Sequence, residues 1–408
     1  MRLIVINDHG AIVGGASQVA ISSLNELANN GIDVTFVSSI PPVDACINHD
    51  KVRVLNFGGY DLINNPSKID AALHGIWDNQ HSKKISNLLD EYSPKETIIH
   101  LHTWTKSLTS SVAHQAMIKG FKLVITLHDY FSICPNGGLY NYKKGAHCEM
   151  SPMSTSCFLS NCDSRSYIHK LWRFSRHFAQ NHVAKLPNGL DYFISISSYS
   201  ESLLRPHLPL SAKFYRVPNP IEVYEPVAST PSSNQSFCFI GRLSPEKGGK
   251  LFAGAAKAAN VPAVFIGSGI ERESILHEYP ESQMRGWQNR FNVNSGIASS
   301  RALVFPSLWH ETQGLVVLEA AALGVPSIVS DGCAARDYVT HGETGLVFKS
   351  GSTDDLVRCL KLLQADPMLA DTMGREAFRR YWANPSSLDT HVKDLLNCYV
   401  EIMKDAKI

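Results

Sequence analysis

The stretch Pro306-Ser-Leu-Trp-His-Glu-Thr-Gln-Gly-Leu-Val-Val-Leu-Glu-Ala-Ala-Ala-Leu-Gly-Val-Pro326 decides how the rest of the chain is read. Before it, Ala302-Leu-Val-Phe305 is a short apolar run closed by Pro306, which reads as a buried strand. From Gly314 a run of good helix formers begins, stopped by Gly324 and Pro326. That helix is apolar except at Glu319, and a carboxylate on a buried helix is costly unless its charge is met. Glu311 lies in the polar loop ahead of the helix, with seven residues between it and Glu319. The pattern predicts a strand, a loop bearing one carboxylate, and a helix N-terminus whose free N–H groups at Gly314 and Leu315 suit an anion such as phosphate. A second carboxylate follows one turn in. Carboxylates beside an anion site suit hydroxyl-rich groups, a ribose or a sugar.

Other strand-to-glycine turns share this design. Ser236–Ile240 runs into Gly241-Arg-Leu-Ser-Pro-Glu-Lys-Gly248, which places Arg242 and Lys247 at the end of a strand. Arginine grips two phosphate oxygens and lysine adds a point charge, so the turn suits a diphosphate. Ala263–Ile266 ends at Gly267-Ser-Gly269 in the same way. Near the N-terminus, Leu3–Ile6 is a buried strand followed by Gly14-Gly15-Ala-Ser17, helical periodicity over about 18–28, and a second strand at Val34–Ser38. That is a βαβ unit with a phosphate-friendly turn, although the G-x-G-x-x-G spacing is absent. Strands at Thr97–Leu101 and Lys122–Leu127 end in His102 and His128, where open α/β sheets bind ligands.

Pro-Ser, Glu311, Gly314-Leu315, Glu319, Gly324-Val-Pro326 and Ser330-Asp-Gly332, with Glu343-Thr-Gly-Leu346 beyond, resemble the donor-site signature of retaining glycosyltransferase family four. The resemblance covers most of the chain and implies an α/β GT-B fold: two facing Rossmann-like domains with a cleft between them. It implies that Glu319 holds ribose hydroxyls and Glu311 sugar hydroxyls near the reacting carbon. It implies that His128 orients the sugar from the opposite domain, and that Gly15 faces the donor's distal phosphate and the acceptor. It also implies that Arg285-Gly286-Trp287 holds the nucleotide base through backbone groups. The residues after the first Glu are usually Gly-Phe-Gly in that family and are Thr312-Gln313-Gly314 here.

The expected activity is therefore transfer of a sugar from a nucleoside-diphosphate sugar, with retained configuration, to a glycan or lipid-linked oligosaccharide in polysaccharide biosynthesis. Arg242, Lys247 and the helix N-terminus at Gly314 would stabilise the departing diphosphate. The chain has no Asp-x-Asp, so no metal or other cofactor is expected to be required. A sugar-nucleotide epimerase, a phosphorylase, or a non-catalytic two-domain sugar- or nucleotide-binding protein would reuse the same architecture.

Composition bounds these readings. At 408 residues the chain is long enough for two domains, divided here at Val217-Pro-Asn-Pro-Ile221: 1–217 on the acceptor side and 218–386 on the donor side. A C-terminal helix over about 387–408 is expected to pack back on the first domain. Net charge is +1, which excludes nucleic-acid binding driven by bulk charge. The charge divides unevenly: residues 1–217 hold 20 Lys+Arg and 16 Asp+Glu (+4), leaving 18 and 21 (−3) from the totals of 38 and 37. Nine cysteines, an odd number, and a short N-terminal apolar run point to a reducing, cytoplasmic location.

Two features of the first domain fall outside the donor pattern. Cys134, Cys148, Cys157 and Cys162 lie within 29 residues, without a C-x-x-C pair. Either a structural zinc or simply buried thiols would account for them, and the insert 135–163 needs some staple. Residues 165–185 interleave Lys170, Arg173, Arg176, His177, His182 and Lys185 with Leu171, Trp172, Phe174 and Phe178. This basic helix with an aromatic side is read as an ordinary solvated face or as a peripheral contact with an anionic membrane surface.

Overall fold

The computed structural model describes residues 1–223 and 227–405. Of the expected second domain, 224–226 lie outside the described residues, as do 406–408 of the C-terminal helix expected over 387–408. Two parallel sheets organise the chain. The first contains β1 (Arg2–His9), β2 (Asp33–Ile40), β3 (Val52–Asn56), β4 (Thr97–Leu101) and β5 (Lys122–Thr126). After the small antiparallel hairpin of β6 (Tyr140–Asn141) and β7 (Ala146–His147), it is completed by β8 (Tyr192–Ser195) and β9 (Lys213–Arg216). Its order is β3-β2-β1-β4-β5-β8-β9. The second contains β10 (Phe237–Ile240), β11 (Ala263–Ile266), β12 (Gln283–Gly286), β13 (Ala302–Phe305), β14 (Ser327–Ser330) and β15 (Gly345–Phe348), ordered β12-β11-β10-β13-β14-β15. This is the two-domain α/β architecture expected of the GT-B fold.

Helices cover both faces of each sheet, so central strands such as Leu3–Ile6 and Ala302–Phe305 are apolar on both sides rather than alternating. The strand order reverses between β1 and β4 in one sheet and between β10 and β13 in the other. Crevices beyond the C-terminal ends of strands open at such reversals. Asp8, at the end of β1, is fully buried, and its carboxylate accepts the backbone N–H groups of Lys106, Ser107 and Leu108. It thereby fixes the loop leaving β4.

The helix Leu388–Lys404 buries Val392, Leu395, Cys398, Tyr399 and Ile402 against Leu3, Val5, Ile21 and Leu24 of the first domain. The insert 135–163 is not structureless: besides the β6–β7 hairpin it contains the short helix Thr155–Leu159. Among the described residues, no helix is long and apolar enough to cross a membrane.

Candidate active site

At the end of β10 the chain turns on Gly241, against which Gly267 at the end of β11 packs so closely that a Cβ on Gly267 would lie 1.9 Å from the Gly241 carbonyl oxygen. Lys247 closes the short 3₁₀ turn Pro245–Lys247, followed by Gly248 at φ 73°. A Cβ at Gly248 would meet the Pro306 carbonyl at 2.1 Å, so glycine lets this turn lie flat on the loop that carries Glu311. Lys247 Nζ then reaches Glu311 Oε2 at 2.5 Å, and Trp309 Nε1 donates to the same oxygen at 2.6 Å. Arg242 lies on the solvent side of the turn, bonded to the buried Glu246 at 3.1 Å with most of its side chain exposed.

Gly314 caps the helix Leu315–Ala322 in the left-handed conformation, φ 85°, and a Cβ there would press on Ala335 at 2.9 Å. Leu315, half-buried, opens the helix and presents its free N–H end. One turn on, Glu319 is 1% exposed. Burial pushes its carboxyl up, opposed by Arg290, whose guanidinium pairs with Oε1. The other oxygen, Oε2, is buried without a hydrogen-bond partner among the described residues. A buried oxygen in that condition is an acceptor awaiting a donor.

Arg290 also reaches Gln18 Oε1 at 3.4 Å, in the first turn of the helix Gly15–Asn29, so Gly15 and Glu319 approach each other across the cleft. Gly286 ends β12 at φ 67°, with its carbonyl accepting the Gly267 N–H at 2.8 Å, and the Trp287 side chain projects outward, 76% exposed.

The first domain contributes His128. Its Nε2 lies 2.9 Å from His102 Nδ1, the two rings are stacked, and His102 in turn packs on His100, which is bonded to Tyr399 at 2.7 Å. Burial pushes His100 and His128 down to about 3 and His102 well below the ordinary value, so the column is neutral at physiological pH. A neutral His128 can exchange hydrogen bonds with hydroxyl groups but offers no cation. Thr312 Oγ1 donates to the His128 carbonyl at 2.9 Å, while Ser197 Oγ donates to the Thr312 carbonyl at 2.6 Å. Gln313 exchanges hydrogen bonds with the backbone of Asn219. Of the two positions where this chain departs from Gly-Phe-Gly, Thr312 therefore ties the domains together and Gln313 holds the segment that joins them. The structure brings His128, Lys247, Glu311, Gly314 and Glu319 to one cleft.

Residues not singled out by the sequence complete the site. Arg290 meets Glu319, and Trp309 meets Glu311. His310 stacks on His147 of the insert at 3.7 Å between ring centres and bonds Tyr199 Oη at 2.7 Å. A histidine immediately before Glu311 was the available signal for His310; Arg290 gave none.

Beside His128, a cavity of about 530 Å³ is lined by Asp61, Lys106, Phe131, Trp172, Arg173 and Arg176 among others. Thr105 joins it to the small recess holding His102, His128 and Asp129. Burial pushes the Asp129 carboxyl up to about 6. The helix Tyr167–His182 forms one wall, and only some of its polar residues, His169, Ser175 and His182, form the solvated face that the sequence suggests. Lys170 and His177 are buried, Arg173 pairs with the buried Asp163 at 3.1 Å, and Arg176 bonds the Thr105 carbonyl. Ile168 and Phe178 are exposed as well.

Cys134, Cys157 and Cys162 are buried free thiols and Cys148 is half-buried. Among the described residues no three His, Cys, Asp or Glu side chains gather as a metal site; Lys170 lies between Cys157 and Cys162 instead.

The family model described as Glycosyltransferase Family 4 matches residues 13–224, about half the chain. The chain belongs to glycosyltransferase family 4. The model for glycosyl transferases group 1 matches residues 222–380 of this family-4 protein, its second domain. It is 35% identical over 113 residues to a GDP-mannose-dependent alpha-mannosyltransferase of Mycobacterium tuberculosis, covering 28% of this chain and 30% of that one. It is 31% identical over 155 residues to the D-rhamnosyltransferase WbpZ of Pseudomonas aeruginosa, covering 36% and 40%. The alignments thus span less than half of these relatives' own lengths. Anabaena Alr3699/HepE, solved with UDP and glucose, superposes with a TM-score of 0.67 over 98% of this chain and 100% of that one. At 15% identity this likeness concerns the fold.

Proposed function

We propose that this family-4 protein is a retaining glycosyltransferase that moves a hexosyl group from a nucleoside-diphosphate sugar to a hydroxyl of a glycan or lipid-linked oligosaccharide in polysaccharide biosynthesis. The observation that carries this is the meeting, in one cleft, of Lys247, Glu311, the helix N-terminus at Gly314 and the half-satisfied Glu319 with His128 of the facing domain. The relatives named for GDP-mannose and rhamnose transfer, and the HepE complex with UDP, support a nucleotide-sugar donor.

In this reading the diphosphate lies against the helix N-terminus, where free N–H groups and the dipole meet its charge. Lys247 turns from Glu311 to the phosphates, and Arg242 closes on them from the solvent side. Glu311, released from its lysine, accepts hydrogen bonds from sugar hydroxyls near the reacting carbon. Glu319 Oε2 accepts from the ribose. Gly267 and Gly286 let the backbone approach the nucleotide, with Trp287 at the base. Gly15 leaves room at the distal phosphate, since a Cβ there would meet nothing within 4 Å.

As the diphosphate leaves, its charge grows, and cations already seated on the phosphates in the bound complex lower the barrier. The acceptor hydroxyl attacks from the face the diphosphate departs, and a phosphate oxygen takes its proton. No protein nucleophile and no divalent metal are invoked. His128, neutral, orients a sugar hydroxyl, and closure of Thr312 on the His128 carbonyl keeps water out.

The cavity beside His128 is proposed to hold the acceptor. Its floor is largely apolar, while Lys106, Arg173 and Arg176 supply cations, a combination suited to a sugar linked to an anionic lipid. Exposed Ile69, Leu73 and Ile168 near it would rest on a membrane surface, consistent with a protein working at the cytoplasmic face.

The deciding experiment is a thermal-shift screen against UDP, GDP, ADP, CMP and dTDP without added metal. A ligand at ~100 times its dissociation constant adds ~2.7 kcal/mol of stability. One nucleoside diphosphate should raise the melting temperature and identify the base. No shift with any of them would move the assignment to a binding protein of another ligand class.

A further inference from the structure

Lys170 is completely buried, yet no carboxylate pairs with it among the described residues. The nearest acid in sequence, Asp163, is occupied by Arg173. The polar contacts of Lys170 Nζ are two sulfurs: Cys162 Sγ at 3.0 Å and Cys157 Sγ at 3.4 Å. An ammonium without water or carboxylate is costly to bury, and two thiols are weak compensation. Asn136 extends the cluster, with Nδ2 3.4 Å from Cys162 Sγ and Oδ1 accepting from Cys134 Sγ at 3.0 Å. An amine and two thiols from three segments are thus held in contact.

We infer that Lys170 and Cys162 are the site of an oxidative crosslink in which one oxygen joins the lysine nitrogen to the cysteine sulfur, with Cys157 as the alternative sulfur. Hydrogen peroxide is the oxidant. Two peroxides react with the amine and the thiol to give the N–O–S bridge and three waters. The nitrogen gives up one hydrogen and two electrons, the thiol gives up its hydrogen and two electrons, and each peroxide takes two electrons. Three of the four peroxide oxygens leave as water and one stays in the bridge.

Separation favours this product over a direct sulfur–nitrogen bond. At 3.0 Å the two atoms need only a small approach to share one oxygen, whereas bonding directly would require them to close by more than an ångström. Sulfenic acid formation is the entry to the chemistry. Peroxide can reach the cluster by local opening of the five-residue helix Thr155–Leu159, whose Phe158 and Leu159 are exposed and which is held to the next helix by the Phe158–Phe174 ring contact and the Tyr167 hydroxyl on the Phe158 carbonyl.

The crosslink would fasten the insert 135–163 to the helix Tyr167–His182, and that helix supplies Trp172, Arg173 and Arg176 to the cavity wall. Oxidation would therefore stiffen the wall without touching the donor-binding residues.

The test is peptide mass mapping of the full-length protein, fully reduced or treated with hydrogen peroxide. The expected result is a Lys170 peptide joined to the Cys162 or Cys157 peptide, heavier than their sum by one oxygen less two hydrogens. Trypsin should fail at Lys170, and dithiothreitol should restore both peptides. Lys170→Met should lose the crosslink, and Cys162→Ser should shift it to Cys157. A Cys157–Cys162 disulfide with Lys170 free, a direct sulfur–nitrogen linkage lighter by two hydrogens, unlinked cysteine oxidised to sulfinic acid, or stoichiometric zinc or iron on the purified wild-type protein would each overturn the inference.

Discussion

Lys247 Nζ and Glu311 Oε2 lie 2.5 Å apart, the lysine offered by the turn after β10 and the glutamate by the loop after β13. Each of the two residues proposed to divide the donor between them, diphosphate to one and sugar to the other, therefore holds its partner in position. The contact is half-buried, so it is screened less than a surface pair.

Lys247→Ala should weaken binding of the recognised nucleoside diphosphate by about tenfold or more, since one charge-assisted contact contributes ~1.5–3 kcal/mol. Arg242→Ala should weaken it comparably while leaving stability almost unchanged, because that side chain is largely exposed. Titration calorimetry with the diphosphate identified by thermal shift measures both. Wild-type affinity in both variants would refute the proposed donor site.

Arg290→Ala should destabilise the fold by ~3–5 kcal/mol, the usual cost of leaving a buried charge without its partner. Glu319 is the stranded group, at 1% exposure. Adding Glu319→Gln should recover part of that loss, because the neutral amide carries no charge to bury. Urea unfolding of the two single variants and the double variant forms the cycle. A cost within ~0.5 kcal/mol for Arg290→Ala would show that the pair does not stabilise the fold.

The donor half of this site was legible because it violates local rules. Glu319 on an apolar helix, and glycines at three strand ends, are expensive unless they do something. Arg290 obeyed every local rule: an arginine opening a short helix looks like any solvated residue, and its partner is 29 positions away. The helix Tyr167–His182 misled for the opposite reason. Lys170, Arg173, His177 and Gln180 recur at helical spacing, and a polar stripe is ordinarily assigned to solvent. Here that stripe turns inward, because the insert 135–163 supplies Asp163, Cys157 and Cys162 to receive it. Irregular segments like that insert have no periodicity, so their contacts cannot be anticipated from pattern.

Stability should fall as pH drops below about 6.5, the ordinary histidine value. Burial pushes His100, His128, His177 and His310 down to about 3 and His391 to about 4. Their contribution is therefore complete above 6.5 and is lost progressively toward 3–4, as the unfolded chain takes up protons that the folded chain refuses. Each histidine costs about 1.4 kcal/mol per pH unit over that window. Asp129, raised to about 6, and Glu271 and Glu319, also raised by burial, act in the opposite direction at low pH, but they are outnumbered by the lowered histidines, which include His102 and His147 as well. Urea midpoints at pH 7 and pH 5 should differ clearly, and His100→Gln should reduce the difference. Equal midpoints would mean the histidine column is not held neutral.

Gly248→Ala should disable donor binding and destabilise the protein together, whereas Gly286→Ala should cost little stability beyond its backbone conformation. Both glycines have positive φ, 73° and 67°, so each pays ~1–2 kcal/mol for a left-handed L-residue. Around Gly286 a Cβ meets nothing within 4 Å. At Gly248 it would lie 2.1 Å from the Pro306 carbonyl oxygen, which is backbone and cannot rotate away. The turn must lift from the Pro306 loop, taking Lys247 away from Glu311. Thermal unfolding and diphosphate affinity, measured on both variants, separate the two costs. Equal losses would mean that conformation alone demands glycine at 248, and that the close seating of turn on loop does not position Lys247.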